Sequence, residues 1–221
     1  MYRSILAVAA VTGALALSAC SETGMEPFAP EMSQVAEAPM GKPDFAGSNA
    51  APRKGSESIA AIAIGAGFDE LVGALSYVDA ELDTGLVDLF LNGTDQYTVF
   101  APTDGAFIRL YGLLSAVLGA EIDEITDVPA PVVLDVLLYH VVDGRRAANS
   151  VVPRNGERTM SSLLGEEFFV RTDKTIRDGL TGVREDDAKI TGANISASNG
   201  IIHKINEVIV PPSVVAALTG S

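Results

Sequence analysis

Apolar residues at helical spacing dominate the chain between residues 58 and 140. Ile59, Ile62, Ala63 and Ala66 follow the i, i+3, i+4, i+7 pattern of one helix face, and Ser58 is placed to cap that helix. The same pattern predicts four more helical segments, which carry Phe68–Leu75, Leu82–Phe90, Phe107–Leu110 and, after Pro131, Val133–Leu138. The stretch from Leu113 to Val128 predicts a further short helix and an acidic loop.

Runs of β-branched and aromatic residues predict the strands. The clearest is Tyr97–Ala101, which Pro102 ends, and Thr103 or Asp104 is placed to cap the helix behind it. Beyond His140 the pattern changes to short strand candidates, namely Phe168–Arg171, Thr181–Arg184, Lys189–Ile190, Asn194–Ser196, Ile201–Ile205 and Val208–Val210. Helices followed by strands indicate an α+β domain with a β-rich core.

Two short sequence signals mark the end of this region. Asn199–Gly200 is the strongest turn signal in the chain and lies between two strand candidates, as in a β-hairpin. Pro211–Pro212 is predicted to end the last strand, because proline cannot donate a hydrogen bond to a sheet.

The first 19 residues predict a lipoprotein signal peptide. The apolar run Ile5–Leu17 is shorter than the roughly 20 residues that span a bilayer. Leu17-Ser18-Ala19-Cys20 resembles the bacterial lipobox, so we expect Cys20, the only cysteine, to receive a lipid and become the N-terminus. The alternative is a plain signal peptide with Cys20 near the cleavage site by coincidence. Ser21, where aspartate would retain the protein at the inner membrane, favours the outer membrane.

Residues 20–57 have the composition of a tether. They contain five prolines and no apolar periodicity, which indicates a disordered segment between the lipidated cysteine and a domain at residues 58–221. The alternative is an extended arm that packs on the domain.

Charge and composition exclude several classes of protein. The 15 basic and 29 acidic residues give a formal net charge of −14, which repels phosphate backbones and makes nucleic acid an unsuitable partner. A single cysteine excludes a disulfide scaffold, and 48% hydrophobic residues suffice for a packed core.

Three motifs in one order support a family resemblance. Residues 98–107 read TVFAPTDGAF, Tyr139–His140 follows, and residues 199–212 read NGIIHKINEVIVPP. Together they resemble the fasciclin (FAS1) domain family, in its bacterial lipoprotein form, with residues 98–107 as the first family signature and residues 199–212 as the second. The stretch from Gly112 to Pro129 looks like a family-variable insertion.

The resemblance implies both a fold and a role. The implied fold is a wedge of two small, steeply angled β-sheets with helices packed on one side, in which the two signatures form neighbouring core strands. The implied role is cell adhesion or matrix contact by a secreted or surface protein, without a general catalytic site or cofactor.

The residues themselves offer few alternatives with chemistry. His140 and His203 could contribute to a zinc site only together with carboxylates, or both could be structural. Glu185–Asp187 could attract Ca²⁺ or form a solvated acidic loop, and Asp104 is explained more simply as a helix cap than as a catalytic carboxylate. Nucleophile-elbow, dinucleotide and P-loop motifs are absent from the sequence, so we expect no cofactor, no metal and no enzymatic activity.

Tyr139, His140, Arg145 and Arg146 are the candidate interaction residues. The family's Tyr-His region is associated with receptor binding, and the two arginines make this segment basic on an acidic protein. The alternative is structural: Tyr139 buries its ring, and His140 ends a helix whose carbonyls favour a cation.

The sequence thus predicts a lipid-anchored envelope protein, in the periplasm or on the cell surface, that binds a protein or glycan in adhesion or envelope and matrix contact. The alternatives are a small-molecule or glycan-binding module and, further off, a hydrolase or metal-dependent enzyme. A pocket with converging polar groups near His140 or His203 would favour these alternatives, whereas a wedge without a pocket would favour protein contact.

Overall fold

The computed structural model describes residues 53–182 and 187–219. The predicted lipobox, Cys20 and most of the predicted tether lie outside these residues. The helices are α1 (Ile59–Gly65), α2 (Asp69–Leu82), α3 (Leu86–Asn92), α4 (Asp104–Leu118), α5 (Ala130–Tyr139), α6 (Ala148–Val151) and α7 (Pro212–Thr219), with a 3-10 turn at Ile125–Asp127. The strands are β1 (Tyr97–Pro102), β2 (Val141–Asp143), β3 (Glu157–Ser161), β4 (Glu167–Arg171), β5 (Thr175–Arg177), β6 (Ala188–Ala197) and β7 (Gly200–Ile205).

The seven strands follow the order β2-β1-β7-β6-β5-β4-β3. All neighbouring pairs are antiparallel except β1 and β7, which run parallel with Phe100 opposite His203. The two signatures therefore form neighbouring strands, as the resemblance implies. Strand β6 belongs to two small sheets at once, pairing with β5 near Ala188 and with β7 up to Ala197.

The register of β6 against β7 shifts on both sides of Gly192. Such bulges bend a strand and increase its twist, which allows one strand to serve two sheets that diverge. The predicted strands Lys189–Ile190 and Asn194–Ser196 are thus two parts of one bent strand.

Apolar side chains form two clusters on opposite faces of the signature strands. The first lies between the helices and the face of β1 that carries Val99 and Ala101. The second lies under the opposite face, where Phe100 meets the ring of Phe168 edge to face at 5.0 Å. Helices on one side and strands on the other confirm the predicted α+β class. Phe107 is also buried, as predicted.

The helix starts depend on side chains from different parts of the chain. Ser58 Oγ accepts a hydrogen bond from the N–H of Ala61, which confirms the predicted cap of α1. Asp104 instead accepts at Oδ1 from the N–H of Glu70, 3.1 Å away, and so stabilises the start of α2 rather than of its own helix.

Several predicted boundaries were wrong. Leu82 ends α2, because Asp83 and Gly85 turn the chain through the left-handed region before α3 begins. Helix α4 continues through Leu113 to Leu118. Of the predicted strand Thr181–Arg184, Thr181 and Gly182 form a turn, and Val183 and Arg184 lie outside the described residues.

The C-terminal end also differs from the prediction. The last strand ends at Ile205, and Val208–Val210 lies outside the strands as buried chain, so Pro211–Pro212 does not end a strand. Pro212 instead begins α7, since proline suits the first turn of a helix.

The predicted hairpin turn is confirmed, with its centre one residue earlier. Ser198 and Asn199 form the turn, and Gly200 is already paired with Ala197. A side chain at Gly200 would overlap the carbonyl oxygen of Tyr97, which explains this glycine. Asn199 is buried, accepts from the N–H of Ile59 at 2.8 Å and donates to the carbonyl of Phe90 at 2.9 Å.

The fold begins before Ser58. Within residues 53–57, which we call the N-terminal arm, the Gly55 N–H donates to Ala197 and the Glu57 carbonyl accepts from Ser198. The last part of the predicted tether is therefore an extended arm on the hairpin. Across residues 53–182 and 187–219, every helix is too short or too polar to cross a membrane.

Candidate functional site

Tyr139, the first candidate residue, lies in the second apolar cluster. Its side chain is 0% exposed, and its hydroxyl donates to the carbonyl of Glu167 at 2.9 Å. Its ring meets that of Phe168 at 5.5 Å. Burial raises the pKa of the phenol well above its usual range, helped by the nearby charges of Asp178 and Glu166. Tyr139 therefore joins α5 to β4 and presents no surface to a partner.

His140 is 2% exposed and joins two other segments. Nδ1 lies 2.6 Å from the carbonyl oxygen of Val136 and donates to it. Nε2 lies 3.1 Å from the backbone nitrogen of Ile209 and accepts its hydrogen. A nitrogen that accepts carries no proton, so the ring is the neutral tautomer with its hydrogen on Nδ1. These contacts support the structural alternative for His140, with a neutral ring in place of the cation that the helix end would favour.

His203, the other histidine, is fully buried. Its Nε2 lies 2.9 Å from the carbonyl of Arg146 and donates to it, while Nδ1 accepts from the N–H of Asn194 at 3.4 Å. Burial lowers the pKa of the ring, against the opposing effect of the Arg146 carbonyl. These hydrogen bonds support the structural interpretation of both histidines.

Arg145 is half-buried and fastens the N-terminal arm to the β6–β7 hairpin. Its guanidinium donates to the carbonyls of Ala197 (2.9 Å), Arg53 (3.3 Å) and Gly200, and to the hydroxyl of Ser196. Burial lowers the pKa of this guanidinium. A charged donor shared among backbone oxygens stabilises the hairpin end without an acidic partner.

Arg146 is the one candidate whose side chain is exposed. Its backbone is fixed, because its N–H donates to Thr98 Oγ1 at 2.8 Å and its carbonyl accepts from His203. Its guanidinium donates a hydrogen bond to the carbonyl of Asp143 at 3.2 Å.

The arm adds two cations that sequence reasoning missed. Arg53 and Lys54 are both exposed, and the Arg53 carbonyl is held by Arg145. We call Arg53, Lys54, Arg145 and Arg146 the basic patch. Within the described residues, none of the four forms an ion pair with a carboxylate. The adjacent Arg53 and Lys54 were a visible signal, but the sequence did not reveal that the arm packs beside Arg145.

An apolar cavity of about 260 Å³ lies among the helices, with His140 in its lining. All the lining residues except Asp127 and His140 are apolar. The apolar lining comes from helices α2, α4, α5 and α7, the end of β1, the 3-10 turn with the loops around it, and the segment before α7. It consists of Leu71, Ala74, Pro102, Phe107, Leu110, Leu114, Leu118, Ile122, Ile125, Val128, Pro129, Val132, Val133, Val136, Leu137, Val208, Val210, Val214 and Leu218. The cavity lies next to His140 but lacks converging polar groups. It therefore matches neither the polar pocket expected of a small-molecule or metal site nor the wedge without a pocket expected of a protein-contact domain.

The predicted insertion forms one wall of this cavity, and its own hydrogen bonds hold it in place. Asp127 Oδ2 accepts from the N–H groups of Asp123 (3.0 Å) and Glu124 (3.1 Å), which keeps the pKa of Asp127 below its usual value. Ser115 Oγ bonds to both backbone groups of Ile122. Tyr77 donates to the carbonyl of Val128 at 3.1 Å. The wall is thus an ordered part of the fold.

The remaining chemical candidates have structural contacts. Asp187 forms an ion pair with Arg171 at 3.0 Å, while Glu185 and Asp186 lie outside the described residues. In the part of the chain that the structure describes, no three histidine, cysteine, aspartate or glutamate side chains are grouped as a metal site requires.

Comparison with known proteins gives several relatives. Protein sll1483 of Synechocystis sp. is 34% identical over 146 residues, which cover 66% of this chain and 68% of that protein. Immunogenic protein MPB70 of Mycobacterium bovis is 29% identical over 128 residues, 58% of this chain and 55% of that protein. Cell surface glycolipoprotein MPB83 of the same species is 30% identical over 136 residues, 59% and 50% respectively. The chain spans about half the length of the two mycobacterial proteins.

A solved FAS1 domain pair from the insect cell adhesion molecule Fasciclin I shares 14% identity, with a TM-score of 0.41, and covers 64% of this chain and 45% of that one. The family model for the fasciclin domain matches residues 67–211, which include both signature strands and Tyr139–His140. Because this match spans more than half of the sequence, the chain belongs to the fasciclin domain family.

Proposed function

We propose that this protein is a lipid-anchored component of the bacterial envelope that acts by binding, in adhesion or in envelope and matrix contact. Membership of the fasciclin family supports a binding role over catalysis. The description of MPB83 as a cell surface glycolipoprotein supports a surface location for a related chain.

The basic patch is the contact face that we propose, and it is the observation that carries the proposal. Arg146, Arg53 and Lys54 are exposed on a chain with a net charge of −14. The chain as a whole repels anions, but exposed cations on one segment attract acidic groups of a partner at short range, so they can orient that partner on this face. The partner class is therefore an acidic protein or an acidic glycan of the envelope.

This proposal moves the contact site away from Tyr139 and His140. Both rings are buried and have hydrogen-bond partners within the domain, so Arg146 is the exposed residue that remains of the predicted site, and the arm adds Arg53 and Lys54 to it. Arg145 is a positioning residue, because its guanidinium donates to the Arg53 carbonyl and holds Arg53 beside the hairpin.

The anchor that we propose is a lipid on Cys20, in the outer membrane because Ser21 follows it. Arg53, the first residue that the structure describes, follows Cys20 by 33 residues. Two or more acyl chains would hold the protein stably on a membrane.

The proposal is tested by retention of the protein on immobilised envelope from the producing bacterium. The test compares wild type with variants that lack the charges of the basic patch, and the exposed Arg154 provides a matched control outside it. Lower retention of the patch variants, with the Arg154 variant retained like wild type, would support the proposal. Retention of the patch variants equal to that of wild type would contradict it.

A further inference from the structure

The inner end of the apolar cavity offers a ligand apolar contact only. His140, its one ionisable inner residue, donates at Nδ1 to Val136 and accepts at Nε2 from Ile209. Phe107 and Val133, which are buried, and the other apolar lining residues surround the space. Polar molecules such as sugars would lose hydrogen bonds to water here without replacing them.

The outer end of the cavity is open to solvent and acidic. Leu118 is 46% exposed, and Asp127 and Pro129 are exposed as well. Exposed Glu121 and Asp123 flank Ile122, which belongs to the cavity wall. Asp127 lines the cavity, and Glu121 and Asp123 add negative charge to the same exposed loop, which disfavours an anionic group at this end because like charges repel.

The volume indicates the size of the occupant. A dry apolar cavity of about 150 Å³ is enough to bind benzene, and sites for drug-sized ligands begin at about 300 Å³. A space of about 260 Å³ therefore suits one flexible hydrocarbon chain better than a large rigid molecule.

We propose that this cavity binds a single acyl chain of an uncharged lipid, with the lipid's polar group at the acidic opening. Such a lipid could be a neutral lipid of the envelope or the diacylglyceryl group expected on Cys20, and both present the same chemistry. The site is separate from the basic patch, so its test does not depend on the adhesion proposal.

The test uses the chain from Ser21 to Ser221, which contains every described residue, and the neutral fluorescent probe N-phenyl-1-naphthylamine. The probe's fluorescence should rise on binding. Monolaurin should displace it at a concentration about fivefold lower than laurate, which has the same chain but an anionic head. The difference should shrink at high salt, because the opening is solvated. Absence of probe binding, or equal displacement by the two lipids at low salt, would overturn the proposal.

Two sets of variants make the test specific. Val132→Trp places a large ring in the cavity and should weaken probe binding at least about tenfold, whereas Ile108→Trp on the exposed face of α4 should not. The double variant Glu121→Gln/Asp123→Asn removes two charges at the opening and should bring laurate closer to monolaurin. If Val132→Trp does not fold, the double variant provides the test. An unchanged ratio of the laurate and monolaurin concentrations that displace the probe would then contradict the proposed site.

The two sources of the lipid are separated by competition. A synthetic diacylglyceryl-cysteine peptide that matches residues 20–25 should displace the probe at a lower concentration than monolaurin if the anchor is the natural ligand. Displacement no better than that by monolaurin indicates a free neutral lipid.

Discussion

The ring of His140 accepts a hydrogen bond from the backbone N–H of Ile209 at 3.1 Å, 69 residues further along the chain. The same ring donates to Val136 one turn back in α5. A single neutral side chain thus joins the end of α5 to the buried segment before α7. This accounts for a histidine at this position without any contact outside the domain.

The first prediction follows from this pair. His140→Ala should lower the free energy of unfolding by about 2–4 kcal/mol, because it leaves the buried Ile209 N–H unpaired and removes packing. His140→Asn should lose less, since its amide can still donate towards Val136. Denaturant unfolding measures both. A loss below about 1 kcal/mol for His140→Ala would mean that the bond to Ile209 contributes little.

Phe100 provides the second prediction. It is 0% exposed and packs edge to face on Phe168, so Phe100→Ala should cost about 3–5 kcal/mol of unfolding free energy. The control is Phe169→Ala on the half-buried face of β4, which should cost clearly less. Chemical denaturation of the two variants side by side gives the comparison, and equal losses would contradict the assignment of Phe100 to the core.

His203 makes stability depend on pH. Burial lowers its folded-state pKa, so below its ordinary value of about 6.5 the unfolded chain binds a proton that the folded chain resists. Stability from this group is fully present above pH 6.5 and is lost as pH falls from there towards the folded pKa.

The His203→Gln variant should therefore be less stable at pH 7.5 but should show a flatter decline between pH 7 and 5. Its amide can still donate towards Arg146 without titrating. Thermal melting across this window tests the sign, and a wild-type curve parallel to that of the variant would be inconsistent with a neutral buried His203.

The anchor gives a prediction for intact mass. Wild type should begin at Cys20 and carry added acyl mass, and it should partition into detergent, while Cys20→Ala should be uncleaved or enter the aqueous phase. An N-terminus at Cys20 without acyl mass would rule the anchor out.

Local patterns predicted an element well where the residues of that one helix or strand were enough to determine its secondary structure. The apolar spacing of α1 and α5 and the β-branched run of β1 correspond to the observed elements. One boundary depended on a distant contact instead. Val208–Val210 has the composition of a strand, but it is a buried segment outside the strands, and His140 holds it through the N–H of Ile209.

The candidate site was predicted less well, for a related reason. The motif around Tyr139 and His140 was correctly located, yet burial of both rings depends on β4 and on the segment before α7, which are remote in sequence. The cavity arises where the insertion and α7 approach α5, and no local pattern encodes that approach. Asn199 likewise looked like a turn residue, although its amide also joins α1 to α3.

Retention on envelope tests the proposed contact face most directly. The unlipidated chain from Ser21 onward should bind immobilised envelope at low salt, and Arg146→Ala should weaken this binding at least about threefold with an unchanged melting temperature. The triple variant Arg53→Ala/Lys54→Ala/Arg146→Ala should lose more, the Arg154→Ala control should bind like wild type, and the differences should fade as salt rises. Wild-type binding that the triple variant retains in full would contradict the assignment of the basic patch as the contact face.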